Sequence, residues 1–426
     1  DLKLAIIKPF QGFRPPSELA SAVSSPPYDI MTSDEAREMV KNNPDSFLRI
    51  IKPEVDFTKG NEPRGDTLHK HGFDNLHAFI KDGKLIQDEK PCFYIYQITM
   101  GNHTQTGIMA AVSIEEYNQV LIKKHEFTRP EKENDRTRHI EITNANTGPV
   151  FLTYRNDGKL KNVMFEILNS HPNISFTAGD STIHTLWKVE NNIQIDRFID
   201  YFQAIPALYI ADGHHRAASA SRVQKIRQDA NPNHTGDEAY NYFLSVIFPH
   251  DEMQILDYNR VVKDLNGLSE EEFLESVNAN FELIPIPHPP LVHRNDSWNV
   301  DGSPIPENNY SMYLNNKWYR LEVKDHIKSD DPVKGLEASI LQKYLLTPIL
   351  DIDDPRTNKR IDFVGGIRGM KELERRCETD CAVAFALPPV SIDQLLSVAD
   401  SGLVMPPKST WFEPKLRSGL VVRLLD

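Results

Sequence analysis

Between an apolar run at 206–211 and an alanine-rich stretch from Ala217 stands the pentapeptide Asp212-Gly213-His214-His215-Arg216. The run has the length and composition of a buried strand, and the stretch after it reads as a helix, so the five residues form a strand-to-helix turn. Gly213 permits a tight turn and close approach of the backbone to a ligand. His214, His215 and Arg216 then fall in the first helical turn, where N–H groups and the helix dipole favour an anion. Arg216 adds a planar fork of N–H groups suited to phosphate. Cations at a helix start oppose the dipole, and a bound phosphate is the expected relief. A second charged segment, 125–146, carries His125, Glu126, Arg129, Arg138 and His139 and is poor in apolar residues. It is expected to be a site loop. Near the end of the chain, Lys408-Ser409-Thr410 offers further donors.

These residue types suit phosphoryl transfer, which needs cations around the moving phosphate, an in-line acceptor and a carboxylate to take the hydroxyl proton. Gly213, His214, Arg216, Lys408, Ser409 and Thr410 are the phosphate- or nucleotide-binding candidates. Glu126, its ionised form favoured by the cations beside it, is the candidate base, with Asp212 and His215 as further catalytic candidates. Asp212 either orients His215 or helps to hold Mg²⁺. His125, Arg129, Arg138 and His139 are candidates for contacting the substrate. No H-E-x-x-H or C-x-x-C spacing organises the histidines and the three cysteines, so neither protein metal ligands nor a disulfide framework is expected.

The elements that must position these groups alternate between helix and strand. Thr32 with Glu35 is a capping box for a helix ending before Pro44, and 66–81 has helical spacing. Two β-rich runs meet at Gly101-Asn102 as a hairpin, and a second hairpin turns at Asn315-Asn316. Ile195, Phe198, Ile199 and Phe202 mark an amphipathic helix. Strands are expected at 2–7 and 243–248, and a proline-rich boundary at 285–306. Helix and strand alternate again over the last hundred residues. Gly365-Gly366 is either a second phosphate cradle or a plain turn, and Trp411 and Phe412 are core or pocket wall. The fold class is α+β. By sequence it divides into an N-terminal α/β region at 1–120, a core carrying the phosphate turn at 121–284, and a C-terminal region at 285–426 that returns to the active site.

The chain has 426 residues with 39% hydrophobic content, enough for a sizeable core and more than one lobe. Lys plus Arg is 48 against 61 Asp plus Glu, a net charge of −13, which repels nucleic-acid backbones and anionic lipid. No apolar run approaches the roughly 18 residues of a spanning helix, and no leader pattern precedes Pro9. A cytoplasmic protein with no nucleic-acid or membrane partner is expected.

The strand–DGHHR–helix element resembles the signature of the ParB/sulfiredoxin superfamily, and in particular that of the archaeal free serine kinases. His125-Glu126 is similar to their His-Glu pair, whose glutamate is catalytic. Ala384-Phe385-Ala386-Leu387 resembles a late strand, and Pro407-Lys408-Ser409-Thr410 resembles their Pro-Lys-Thr-Thr segment. The whole chain also looks like a widespread family of bacterial proteins carrying RPP near the start, then DRTRHIE, TGPVF, YIADGHHR, DPRTNKRIDFVGG and MPPKSTWFEPKLRSG. Departures from the pattern bound what the resemblance implies. Sulfiredoxins have a catalytic cysteine where His214 stands, so their chemistry is not expected. The helix-turn-helix and basic surface of ParB proteins are not evident. Trp411-Phe412 replace the kinases' Arg-His, leaving Arg129, Arg136, Arg138 or Arg417 as substitutes.

The resemblance implies a ParB/sulfiredoxin-like nucleotide-binding core elaborated at both ends. It also implies a kinase of free L-serine or a similar small hydroxyl compound, with ADP or ATP as donor and Mg²⁺ expected. Two other functions fit the same residues: a phosphatase acting on phosphoserine, and a nucleotide-binding regulator without turnover.

Overall fold

A computed structural model describes residues 5–290 and 305–426, so parts of the expected strand at 2–7 and boundary at 285–306 lie outside the described residues. The chain folds as two units, 1–253 with 414–426, and 254–413. Both are mixed α and β.

The first unit is built on a nine-stranded mixed sheet. Its strands are β1 (Ile7–Lys8), β2 (Phe93–Met100), β3 (His103–Ser113), β4 (Ile122–Lys123), β5 (Val150–Tyr154), β6 (Ile174–Thr177), β7 (Ile183–Val189), β8 (Leu208–Asp212) and β9 (Tyr242–Pro249). Eight of them run in the order β4-β8-β5-β9-β3-β2-β7-β6, and β1 pairs with β3. The helices that bear on the site are α1 (Asp66–Lys81), α2 (Pro130–Thr143), α3 (Asn192–Ala204) and α4 (His214–Ala230). Phe198 and Phe202, on the apolar stripe of α3, are buried with Phe93, Ile95, Leu152 and Ile210 of the sheet. Each such side chain contributes about 1.5–3 kcal/mol by leaving water. The β2–β3 hairpin, α1 and the Thr32 cap, which accepts from the Glu35 N–H at 3.1 Å, match the sequence expectations.

The expected boundaries at 120 and 284 do not separate structural units. Strands from both sides of residue 120 alternate in one sheet, with β2 and β3 lying between β7 and β9. The second boundary falls inside a strand, Phe281–Ile286, that is paired along its length with Lys317–Val323. Residues 414–426 belong to the first unit, where Arg423–Leu424 pairs with Ala145–Asn146.

The second unit carries a six-stranded sheet of β10 (Tyr258–Val262), β11 (Phe281–Ile286), β12 (Asn309–Leu314), β13 (Lys317–Val323), β14 (Ile361–Gly365) and β15 (Val383–Ala386). Every pairing is antiparallel, in the order β11-β13-β12-β15-β10-β14. The β12–β13 turn uses Asn315 and Asn316 at φ +47° and +61°, the left-handed pair a two-residue hairpin favours. Gly365-Gly366 is a packing device. A Cβ on Gly366 would sit 2.0 Å from Asp257 Oδ1, and one on Gly365 would sit 2.7 Å from the Trp411 ring. A carboxylate against the glycine pair excludes the phosphate-cradle alternative there.

Among the described residues no helix is long and apolar enough to cross a membrane. Burial raises the pKa of two carboxyls in the first unit, Glu116 and Glu252, and Glu116 offers a test. Glu116 is 4% exposed, accepts the Ile6 N–H at 2.7 Å, and has its pKa pushed up by burial to about 7. Its folded pKa lies above its ordinary value, so its contribution to stability is complete below about pH 4.5 and is lost as pH rises through about 7. Across that window the wild type should lose stability relative to Glu116→Gln, the gap between their melting temperatures widening as pH rises. The difference should approach roughly 3 kcal/mol at the alkaline end. Parallel curves would remove Glu116 as the cause.

Candidate functional site

A short parallel ladder assembles the site. Ile122 pairs with Leu208 and Lys123 with Tyr209, so β4 and β8 run side by side in the same direction. The loop leaving β4, Lys124-His125-Glu126, is thereby set beside the turn leaving β8, Asp212-Gly213-His214. The carboxyl ends of parallel strands are where open α/β sheets place ligands. Gly213, at φ +92°, lets the chain reverse into α4 with no side chain to oppose the left-handed conformation.

The segment expected as a loop becomes helix α2 from Pro130. Proline at N1 is pre-set for helix, and Glu131 and Glu133 complement the dipole of the first turn. The charges that looked like a loop are the solvated face of this helix. Helices α2 and α4 run side by side in the same direction. Ser219 Oγ donates to the Glu133 carbonyl at 3.1 Å, Arg222 to Asn134 Oδ1 at 2.6 Å, and Arg227 to Glu141 Oε1 at 3.0 Å. Both N-termini therefore point to the same end as Glu126.

His125 and His214 are buried and meet edge to face with ring centroids 4.5 Å apart. The His125 backbone N–H donates to His214 Nε2 at 3.5 Å. One ligand-type atom from each of His125, Glu126 and His214 lies within 4.8 Å of the other two. Burial pushes the His125 pKa down to about 4, against the opposing pull of its hydrogen bond to the Ile210 backbone and of Asp212. Burial and the neighbouring His125 hold His214 well below its ordinary value. Both rings are neutral at physiological pH. His215 Nε2 accepts the Arg129 backbone N–H at 2.9 Å, and burial lowers its pKa as well.

Asp212 Oδ1 accepts the Gly213 N–H at 2.8 Å, and Oδ2 pairs with Lys415 Nζ at 3.0 Å. Burial alone would raise its pKa, but Lys415 and Arg216 override that and hold the carboxyl well below the usual range. Lys415 lies in the MPPKSTWFEPKLRSG segment, seven residues beyond Lys408, and was not singled out by sequence. Its signal was a lysine among prolines and glycine at the end of the chain, too common a pattern to mark a site.

Three sequence-expected roles change. Arg216 Nη1 donates to the Pro149 carbonyl, and Nη2 lies 3.7 Å from Asp29, so the guanidinium braces the turn internally. The positive charge at the start of α4 is thus met by Asp29 and Asp212, and the histidines beside it are neutral. Arg138 forms a bidentate exposed pair with Asp66, at 3.1 and 2.8 Å, on the outer face of α2. His139 is buried, with Nε2 3.1 Å from Thr147 Oγ1 and its ring edge-on to His69. A cavity of about 30 Å³ adjoins Arg216, His139 and Tyr28, room for about one water rather than a phosphate.

Lys408, Ser409 and Thr410 belong to the second unit. There Ser409 Oγ donates to the Pro406 carbonyl at 2.6 Å, and Lys408 sits at φ +59° with its ammonium 5.8 Å from the Tyr258 ring centre. A larger cleft in the first unit, about 340 Å³, is lined by Tyr154, Asn156, Lys161, Phe165 and Glu252. It lies at the opposite end of the strands, since Tyr154 closes β5, which runs antiparallel to β8. Size alone does not bring it to the turn.

Mg²⁺ requires oxygen ligands in near-octahedral array. Asp212 is engaged by Lys415 and the Gly213 N–H, and the other grouped donors are two imidazoles and one carboxylate. These residues do not make a magnesium site.

Among solved structures, a mutant free serine kinase in complex with AMP is similar at a TM-score of 0.34 and 13% identity, covering 72% of this chain and 87% of that one. A conserved hypothetical protein from Pyrococcus furiosus is similar at 0.34 and 15%, covering 74% and 95%. C-terminally truncated SbnI from Staphylococcus aureus is similar at 0.37 and 10%, covering 73% and 85%. No curated protein matches the chain. The family model of DUF1015, described as a protein of unknown function, matches residues 7–339, well over half the sequence, and the chain belongs to that family.

Proposed function

We propose that the chain is a phosphotransferase with a ParB/sulfiredoxin-like nucleotide-binding core, phosphorylating free L-serine or a similar small hydroxyl compound from ADP or ATP. The observation that carries this reading is the β4–β8 ladder, which brings the Glu126 carboxylate beside a glycine turn at the start of α4. A carboxylate next to an anion-favouring helix start suits proton removal beside a bound phosphate. In this reading Glu126 takes the proton from the acceptor hydroxyl. The freed oxygen attacks the terminal phosphorus of the donor, and the bond to the bridging oxygen breaks, leaving phosphoserine and AMP or ADP. The N–H groups at the start of α4, with Lys415 and His215, receive the phosphate, while Arg216 holds the turn in shape. The four pieces that resemble those of the free serine kinases support the same assignment.

Phosphorus NMR of the protein with Mg²⁺, serine and either nucleotide tests it. Growth of a phosphoserine signal that Glu126→Gln abolishes is the expected result. A second reading, hydrolysis of phosphoserine, is favoured by the two imidazoles grouped with Glu126, a donor set common in hydrolytic centres. Release of inorganic phosphate from phosphoserine without nucleotide would select it. Silence in both assays with a nucleotide-dependent thermal shift would overturn both in favour of a binding regulator.

A further inference from the structure

Two buried imidazoles and a carboxylate converge where β4 and β8 end. They come from opposite sides of a long sequence gap, with His125 and Glu126 on one loop and His214 on the first turn of α4. We propose that His125, Glu126 and His214 bind a transition-metal dication of the zinc class, as a three-ligand site with its remaining position open to an oxygen from water or substrate. The site goes beyond the phosphotransferase reading and shares only Glu126 with it.

Several observations converge on this assignment. Imidazole nitrogen and a single carboxylate form the His₂Glu set that zinc takes in catalytic centres, where three protein ligands leave a fourth position open. Magnesium and calcium prefer all-oxygen shells, so the donor chemistry selects against them. Metal–nitrogen bonds of about 2.0–2.1 Å place tetrahedral ligand atoms about 3.4 Å apart. The ligand atoms already lie within 4.8 Å of one another, so binding requires them to draw together by at most about 1.4 Å. Glu126 is half-buried on a loop and can supply most of the movement. The ring of His125 also has the outer-shell partner a metal-binding histidine ordinarily uses, a backbone carbonyl, at Ile210. The bond between the His125 N–H and His214 Nε2 is long, at 3.5 Å, so it holds the Nε2 lone pair only weakly. A carboxylate has two oxygens, so Glu126 can ligate through one and accept a proton at the other.

The test is binding of Co²⁺ and Zn²⁺ to the whole chain, stripped with chelator and without nucleotide. Visible d–d absorption reads the cobalt, and elemental analysis after gel filtration reads the zinc. The expected result is one equivalent per chain, with cobalt and zinc competing for the same site. Glu126→Gln should weaken Co²⁺ binding by about 100-fold or more, since even outer-shell losses cost about 10–100-fold. His214→Ala should do the same, with circular dichroism confirming that it is folded. Because His214 is buried, Glu126→Gln remains decisive if that variant fails to fold. No stoichiometric uptake, or uptake unchanged in a folded Glu126→Gln protein, overturns the site. Metal uptake without phosphoserine formation would sink the kinase reading and leave the site standing. Phosphoserine formation with magnesium alone, and no cobalt or zinc uptake, would do the reverse.

Discussion

Glu126→Gln is expected to lower turnover by about 10²–10⁴-fold while nucleotide affinity stays within a few-fold of wild type. Glutamine keeps the shape of the side chain and its hydrogen-bonding reach but cannot accept the hydroxyl proton, and removing a general base typically costs that much. Glu126 is half-buried on the loop that follows β4, so the exchange should hardly move the melting temperature. Arg138→Gln is the matched control. Arg138 is exposed on α2 and its partner Asp66 opens α1, and exposed pairs contribute about 0–1 kcal/mol. Rates are measured by the phosphorus assay and affinity by calorimetry. Activity of Glu126→Gln within a few-fold of wild type, or a loss in Arg138→Gln as large as that in Glu126→Gln, would remove the glutamate from its role.

The contrast between these two residues shows what the sequence could and could not convey. Local patterns were legible: the Thr32 cap, the α1 span, both hairpins and the strand-to-helix turn at Gly213 all rest on interactions a few residues apart. The candidate site was legible where a short motif carries its own geometry, as in Asp212 to Arg216. It was misread where a partner far along the chain decides the outcome. Arg216 looked like a phosphate fork because Asp29 and Pro149 are 187 and 67 residues away and invisible to spacing. The segment 130–143 looked like a loop because its charges hid a helix whose buried face carries only Thr137, His139, Ile140 and Thr143. Metal-ligand spacing within one segment carries no trace of His125 and His214, which meet only through the parallel pairing of two strands. Lys415 was missed for the same reason, since its partner Asp212 is 203 residues away.

Arg216→Lys separates a structural arginine from a phosphate-gripping one. Lysine keeps the positive charge but replaces a planar fork by a single ammonium, so it cannot serve the Pro149 carbonyl and Asp29 in the same register. A hydrogen bond from a charged group is worth about 1.5–3 kcal/mol, and the one to the Pro149 carbonyl should be lost. For a unit of this size that corresponds to a melting temperature lower by roughly 3–10 °C. Asp29→Asn should cost less. The double variant should fall short of the sum, because both changes break the same contact. Residual folded protein should keep most of its specific activity if, as proposed, the guanidinium only shapes the turn and N–H groups with Lys415 receive the phosphate. The opposite pattern, an unmoved melting temperature with turnover down about 10–100-fold, is what a guanidinium that meets the equatorial oxygens in the transition state would give. That result would mean the pairing with Asp29 yields when the donor binds, and it would return Arg216 to the phosphate.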